Sequence, residues 1–188
     1  MNAAPKKKKC DGYSVAVIPV DPQLGVLVGN ISGGRGVSGV GGHVKDDFRD
    51  YEEAARGEVP EETGYTVKTL VKLYEEPVWR PNPCLRGNGP FGMGHYWQVY
   101  FADVEGCLTP DKNSFSEMRW VSKAELQKLA ERTLLRVRGD LTDEEWLSEP
   151  GITFSWVRWF VDAGLIEVTE AELLEIEEFM LTDESNRP

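Results

Sequence analysis

Cysteine is scarce in this chain: Cys10, Cys84 and Cys107 are the only three among 188 residues. An odd count with no metal-type spacing argues for free thiols in a reducing compartment, and so for a cytoplasmic protein. No apolar run approaches the roughly 20 residues that span a bilayer, which leaves no reason to expect a membrane partner. The Lys6–Lys9 run is followed by polar Cys10-Asp11-Gly12, not by the apolar core of a signal peptide. Basic residues are also in deficit. Against 32 Asp and Glu there are 21 Lys and Arg, for a net charge of −11. Affinity for nucleic acid comes largely from neutralising phosphates, so a nucleic-acid partner is not expected, and four lysines make only a short patch. There is no repeat at a solenoid period. The length suits one domain with an extension, or a small pair, and is enough for a sizeable core.

The pattern along the chain divides it into three parts. Residues 1–12 read as a basic, disordered tail. Residues 13–131 alternate strands with helices. Tyr13–Val20 and Gly25–Asn30 are β-rich runs separated by Asp21-Pro22-Gln23 turn chemistry. Gly33–Gly36 is a loop, and Val37–Val44 leads to a helix expected over Tyr51–Thr63. Tyr65–Glu76 holds one or two strands. Pro77–Gly94, with four prolines and four glycines, reads as a loop. His95–Phe101 and Met118–Val121 are strands, and Ser122-Lys123-Ala124-Glu125 is a capping box that starts a helix. Strands on both sides of one helix, followed by another, predict a mixed sheet between helices. Residues 132–188 form an acidic helical extension with capping boxes at Thr142 and Thr169. Its Trp156, Trp159 and Phe160 fall at i, i+3 and i+4, the spacing of a packed core stripe or of a homodimer surface.

The stretch that carries chemistry is Gly41-Gly42-His43-Val44, followed by Ala54 to Tyr65. It puts Glu58, Glu61 and Glu62 at i, i+3 and i+4, on one helix face. Three like charges there destabilise an isolated helix. A hard divalent cation turns the repulsion into attraction, because Mg²⁺ takes oxygen ligands from a few carboxylates and from substrate phosphates. A Glu-rich helix is more often a solvated face. Here, though, a Gly-Gly turn precedes it, Ala54-Ala55 gives a close-packing face, and Gly64 sits where a left-handed helix stop belongs.

This combination resembles the signature box of the Nudix hydrolase family, through Gly42, Glu58, Val59, Glu61, Glu62, Gly64 and Tyr65. The box covers about a seventh of the chain, and the strand pattern around it extends the resemblance over residues 13–131. The resemblance implies an α/β/α sandwich with a mixed sheet, and hydrolysis of a nucleoside diphosphate linked to another moiety by water attack at phosphorus. It also implies metal coordination by Glu58, Glu61 and Glu62, with the Gly42 carbonyl contributing and Mg²⁺ or Mn²⁺ as cofactor. Family members differ in whether the general base lies on the helix or in a later loop, so Glu61 and Glu117 are both candidates; Glu117 begins a Glu-x-x-Trp pattern. Three departures stand out. The family arginine before the first helix glutamate is Gly57, and Arg56 is turned away by roughly 100°. The spacing from Gly42 to Glu58 is one residue long. The upstream glutamate position falls on Arg49 or Phe48, depending on the direction of counting, with Asp46, Asp47 or Asp50 as possible substitutes. Pro60, inside the helix, predicts a local distortion.

A substrate of phosphates in so acidic a protein calls for a few placed cations. Arg35, Lys45 and Arg80 are candidates, as are Arg49, Arg56 and Arg86, although any one of them is more often a plain surface charge. A nucleobase calls for an aromatic wall, for which Trp97 is the first choice, with Trp79, Tyr96 and Phe91 behind it. His95 reads as a substrate contact or as a structural histidine. The competing readings are a catalytically weakened Nudix domain that senses nucleotide, with Gly57 and Arg49 as its marks, and a protein-interaction module that uses the C-terminal helices.

Overall fold

A computed structural model describes residues 8–182. Eight strands form one mixed sheet: β1 (Tyr13–Asp21), β2 (Gly25–Ile31), β3 (Val37–Ser38), β4 (Val40–His43), β5 (Tyr65–Lys72), β6 (Val78–Pro81), β7 (Gly94–Gly106) and β8 (Phe115–Val121). The central path runs β3-β2-β1-β7-β5, with β4 on β1, β6 on β7 and β8 on β2. The β1–β7 pair is parallel and the other pairs are antiparallel.

Alternation along β1 explains the layering. Side chains of period two point to opposite faces. Val15 and Val17 pack with Ala54, Ala55 and Val59 of α1 (Tyr51–Thr63). Ala16 and Ile18 point the other way, onto α2 (Lys123–Val137), α4 (Phe154–Asp162) and α5 (Glu170–Thr182). Helices therefore cover both faces, as the strand-and-helix order predicts. A short α3 (Asp143–Ser148) links α2 to α4, and capping boxes at Ser122 and Thr142 are both formed.

Helix α1 has the expected bounds. Asp50 caps it by accepting from the Glu53 N–H, and Gly64 at φ 77° stops it. The helix runs through Pro60 without interruption, where a distortion was expected. Pro60 stands in the last turn, and both it and Arg56 are exposed, so the carbonyl that loses its partner is open to water. A second difference concerns the Pro/Gly-rich segment: Val78–Pro81 is a strand, paired with β7 in register Val78↔Trp97 to Pro81↔Gly94. Its proline closes the strand, a position where the missing donor costs little.

The C-terminal helices share the core of the sheet. Trp159 and Phe160 are fully buried with Ala16, Ile18, Val28 and Val99, so the aromatic stripe is core and not an exposed surface. The Val37 N–H donates to the Gly151 carbonyl (2.8 Å) and the Thr153 N–H to Val37 (2.9 Å), which extends the sheet edge at β3. Position 132, where composition changes, lies inside α2. The end of the basic segment is likewise packed: Cys10 is buried, and Asp11 accepts from the Tyr13 and Lys45 N–H groups. Lys6 and Lys7 lie outside the described residues. Among the described residues, no helix is long and apolar enough to cross a membrane.

Candidate active site

Strand β4 and helix α1 meet with almost no space between them, and glycine makes that possible. A Cβ on Gly42 would overlap the Glu58 carboxylate, while one on Gly41 would come within 2.6 Å of the Val15 carbonyl in the β1 ladder. The Gly41 N–H donates to Glu62 Oε2 (3.2 Å). Glu58 and Glu62 are thus drawn inward from the same face of α1. Burial pushes the Glu62 carboxyl up to about 8, reinforced by the Glu58 charge and opposed by the Gly41 N–H. Burial also pushes Glu58 up to about 7, with the charges of Glu61, Asp46 and Asp47 adding to the rise and Arg86 opposing it. Two half-buried carboxyls that resist ionisation side by side are a poor arrangement for an empty protein and a good one for an oxygen-seeking cation.

Both line a cavity of about 730 Å³, together with Gly42, Arg35 and Trp97. Across from the carboxylates the walls come from the C-terminal helices, through Arg136, Trp146, Phe154 and Trp156. The loop after β6 contributes Arg86, whose guanidinium pairs with Asp46 on the same wall. Arg136 pairs with Asp143. Arg35 has no ion pair among the described residues, and its carbonyl accepts from the Thr153 hydroxyl.

Several candidates fall elsewhere. Glu61 is exposed beside Glu58 and does not line the cavity. Glu117 is exposed on β8, opposite Asn30, and is likewise outside it. The Lys45 ammonium sits 3.7 Å over the Tyr13 ring. Arg80 lines a small separate crevice with Arg158 and Trp159. Both cations are therefore removed from the carboxylates by the direction of their strands and loops. Tyr96 and Trp97 point to opposite faces, as alternation requires: Tyr96 joins Tyr13 and Phe91, whereas Trp97 packs on Trp159. His95 is 2 % exposed and stands among the residues lining the cavity, with its Nδ1 2.7 Å from Ser14 Oγ. Arg49 is a surface partner of Glu53, Asp47 pairs with Lys8, and Asp50 caps α1, so of the acidic substitutes only Asp46 reaches the cavity. Asp46, a possible substitute for the upstream glutamate, and Trp156, of the aromatic stripe, both line the cavity; Arg136 joins them through tertiary contact, and nothing in its local sequence singles it out.

The family model for the NUDIX domain matches residues 12–141. The chain belongs to the Nudix family. A search of curated proteins found no match. Among solved structures, the NUDIX domain of Shewanella oneidensis NrtR, in a cocrystal with ADP ribose, is similar at 16% identity and a TM-score of 0.54. That match covers 87% of this chain and 92% of the other. A NUDIX-family hydrolase from Clostridium perfringens matches at 20% identity and a TM-score of 0.48, over 62% of this chain and 85% of the other. The α/β sandwich with its mixed sheet is therefore a Nudix fold, with the C-terminal helices built into it. Nudix domains in general hydrolyse pyrophosphate bonds of nucleoside diphosphate derivatives and use divalent cations.

Proposed function

We propose that this chain is a Mg²⁺- or Mn²⁺-dependent pyrophosphohydrolase of a nucleoside diphosphate-linked substrate, with Glu58 and Glu62 as the principal metal ligands. The observation that carries the reading is the buried Glu58–Glu62 pair held against Gly41 and Gly42 at the wall of a cavity that also holds arginines. The donor set fits the cation: carboxylate oxygens, with the Gly42 carbonyl as a further oxygen and no side chain at Gly42 to fill the place. When bound, the cation neutralises phosphate oxygens and acidifies a coordinated water. The chain's own groups do the rest. Glu61, beside Glu58 and open to solvent, is the proposed proton acceptor for the attacking water. Arg35 is the cation best placed for the distal phosphates, since Arg86 and Arg136 are already engaged by Asp46 and Asp143. Trp97 and Trp156 supply apolar wall for a base or other flat group. The free thiols fit a reducing, cytoplasmic setting.

The sensor reading has one specific observation behind it: the family arginine is absent at Gly57. The test is hydrolysis of a broad nucleotide panel, ADP-ribose included because a structural relative binds it, with Mg²⁺ and with Mn²⁺, for the wild type and Glu62→Gln. Turnover that is lost in the variant supports the enzyme. Nucleotide binding without turnover in the wild type gives the site to a sensor.

A further inference from the structure

At the wall of the same cavity, Cys10, His43, Cys84 and His95 bring two sulfurs and two imidazole nitrogens together, each ligand atom within 4.8 Å of the others; His43, Cys84 and His95 line the cavity and Cys10 is buried. Cys10 Sγ lies 3.0 Å from His95 Nε2, and Cys84 Sγ lies 3.5 Å from His43 Nε2. The four residues come from four segments: the approach to β1, the end of β4, the loop after β6, and the start of β7. That dispersal is why linear spacing shows no metal pattern. We propose that these four residues form a closed, structural Zn²⁺ site that anchors the 82–93 loop to the sheet.

Three physical points carry the proposal. Two thiolates and two imidazoles are the donor set of tetrahedral structural zinc, and soft sulfur excludes Mg²⁺ as the occupant. With Zn–S near 2.3 Å and Zn–N near 2.0–2.1 Å, the edges of such a tetrahedron are about 3.3–3.8 Å. The Cys84–His43 contact of 3.5 Å lies within that range, the Cys10–His95 contact of 3.0 Å just below it, and all four ligand atoms are within 4.8 Å of one another, so small side-chain rotations would seat the ion. The outer shell is also present. Ser14 Oγ lies 2.7 Å from His95 Nδ1, so an Nδ1–H donating to the hydroxyl leaves Nε2 free to face the cluster. Four protein ligands leave no open position, which makes this a fastening and not a second reaction centre.

Its ligand set is separate from the carboxylate one, although both face the same cavity. Successive residues of β4 point apart: Gly42 faces Glu58, while the His43 ring lies 5.0 Å from that of His95. What the ion would fix is the loop bearing Arg86, and through the Arg86–Asp46 pair the wall next to Glu58. The proposal stands on these four side chains alone and survives failure of the hydrolase reading.

The test is metal content and thiol reactivity of the full chain, purified without chelator from zinc-supplemented cells. The expected result is about one zinc per chain, retained in Cys107→Ser and reduced at least tenfold in Cys84→Ser and in His95→Gln. Only Cys107 should react with a thiol reagent until zinc is chelated, after which all three thiols should react. If the ligand variants do not fold, the wild type loaded with Co²⁺ decides. Intense tetrahedral bands with a thiolate-to-cobalt charge-transfer band support the site. A weak octahedral spectrum, three thiols reactive from the start, or a Cys10–Cys84 disulfide each overturns it.

Discussion

Gly42→Ala separates the metal site from the fold, because the new methyl meets only one thing. The three atoms nearest an added Cβ all belong to the Glu58 carboxyl, the far end of a flexible side chain. Gly42 does not have a positive φ, so alanine fits the backbone. Replacing glycine within a strand gains roughly 0.5–1 kcal/mol, and moving Glu58 outward relieves its burial. The metal-free thermal midpoint should therefore hold or rise. Metal affinity should not: disturbing the support of a ligand costs about 10–100-fold. At saturating Mg²⁺ that removes about 1.4–2.7 kcal/mol of metal-linked stabilisation, or about 3–10 °C of the Mg²⁺-induced shift for a chain of this size. Thermal melts with and without Mg²⁺, alongside turnover, read both quantities. Gly41→Ala is the contrast, since its methyl would meet the Val15 carbonyl in the sheet and lower the midpoint under every condition. A wild-type Mg²⁺ shift with full turnover in Gly42→Ala would refute the close seating of Glu58 on β4.

Other consequences of the structure are as readily checked. Trp159→Ala removes a side chain 1 % exposed, packed on Trp97 and Tyr74. It should cost about 3–5 kcal/mol, lowering the midpoint by about 6–20 °C in a single transition seen alike by far- and near-ultraviolet circular dichroism; a sheet that melts unchanged would be contrary. Without divalent ions, stability should fall as pH rises from about 6.5 to 8, by about 2 kcal/mol, because folded Glu58 and Glu62 keep protons that the unfolded chain has released. His43 and His95, held neutral by burial, act with the opposite sign, and because a free imidazole titrates near about 6.5 they offset part of the fall at the lower end of that window. The Mg²⁺-induced shift should grow over the same window, and a flat profile in denaturant titrations would count against the buried pair. Gly57→Arg should cost about 1–3 kcal/mol by overpacking against Phe48. Adding Phe48→Glu should recover part of that loss, a coupling that a double-mutant cycle measures; additivity would deny the contact.

How much of this was legible in the sequence depends on how local each feature is. Helix α1 was readable to its ends, because Asp50 and Gly64 carry cap signals independent of the rest of the chain. The layering was readable from the order of strands and helices. Strand β6 was hidden because its pairing with β7 is non-local and its prolines and neighbouring glycines resemble those of a loop. The C-terminal helices were seen as helices and read as an extension, since a change of composition does not reveal that Val37 hydrogen-bonds to Gly151. Their packing has a consequence. Deleting residues 132–188, which would test an appended module, here removes Trp156, Val157, Trp159 and Phe160 from the core together with the part of the cavity wall made by Arg136, Trp146, Phe154 and Trp156. Loss of activity on such a deletion would report unfolding, not the loss of a partner. Lys45 was chosen for its place near the box and Arg80 for its place in the Gly/Pro-rich loop, and neither says which way a side chain turns; neither lines the cavity.

The departures from the family box, which look in sequence like separate losses, share a single contact. A Cβ at Gly57 would fall on the ring of Phe48. Position 57 is where the family places its arginine, and Phe48 is one of the two residues that align with the upstream glutamate. At Gly57, where the family box has a charged side chain, α1 therefore meets an aromatic ring, a contact that needs no desolvated charge. The turn from Val44 to Phe48, closed by the Phe48 N–H to the Val44 carbonyl at 3.2 Å, precedes the helix and brings the ring against Gly57. A box that had merely decayed would leave a gap or an unpaired charge at this point. Here the face is closed, and Glu58 and Glu62 remain drawn toward β4. That favours an enzyme with a rebuilt support over a remnant that has lost its metal site.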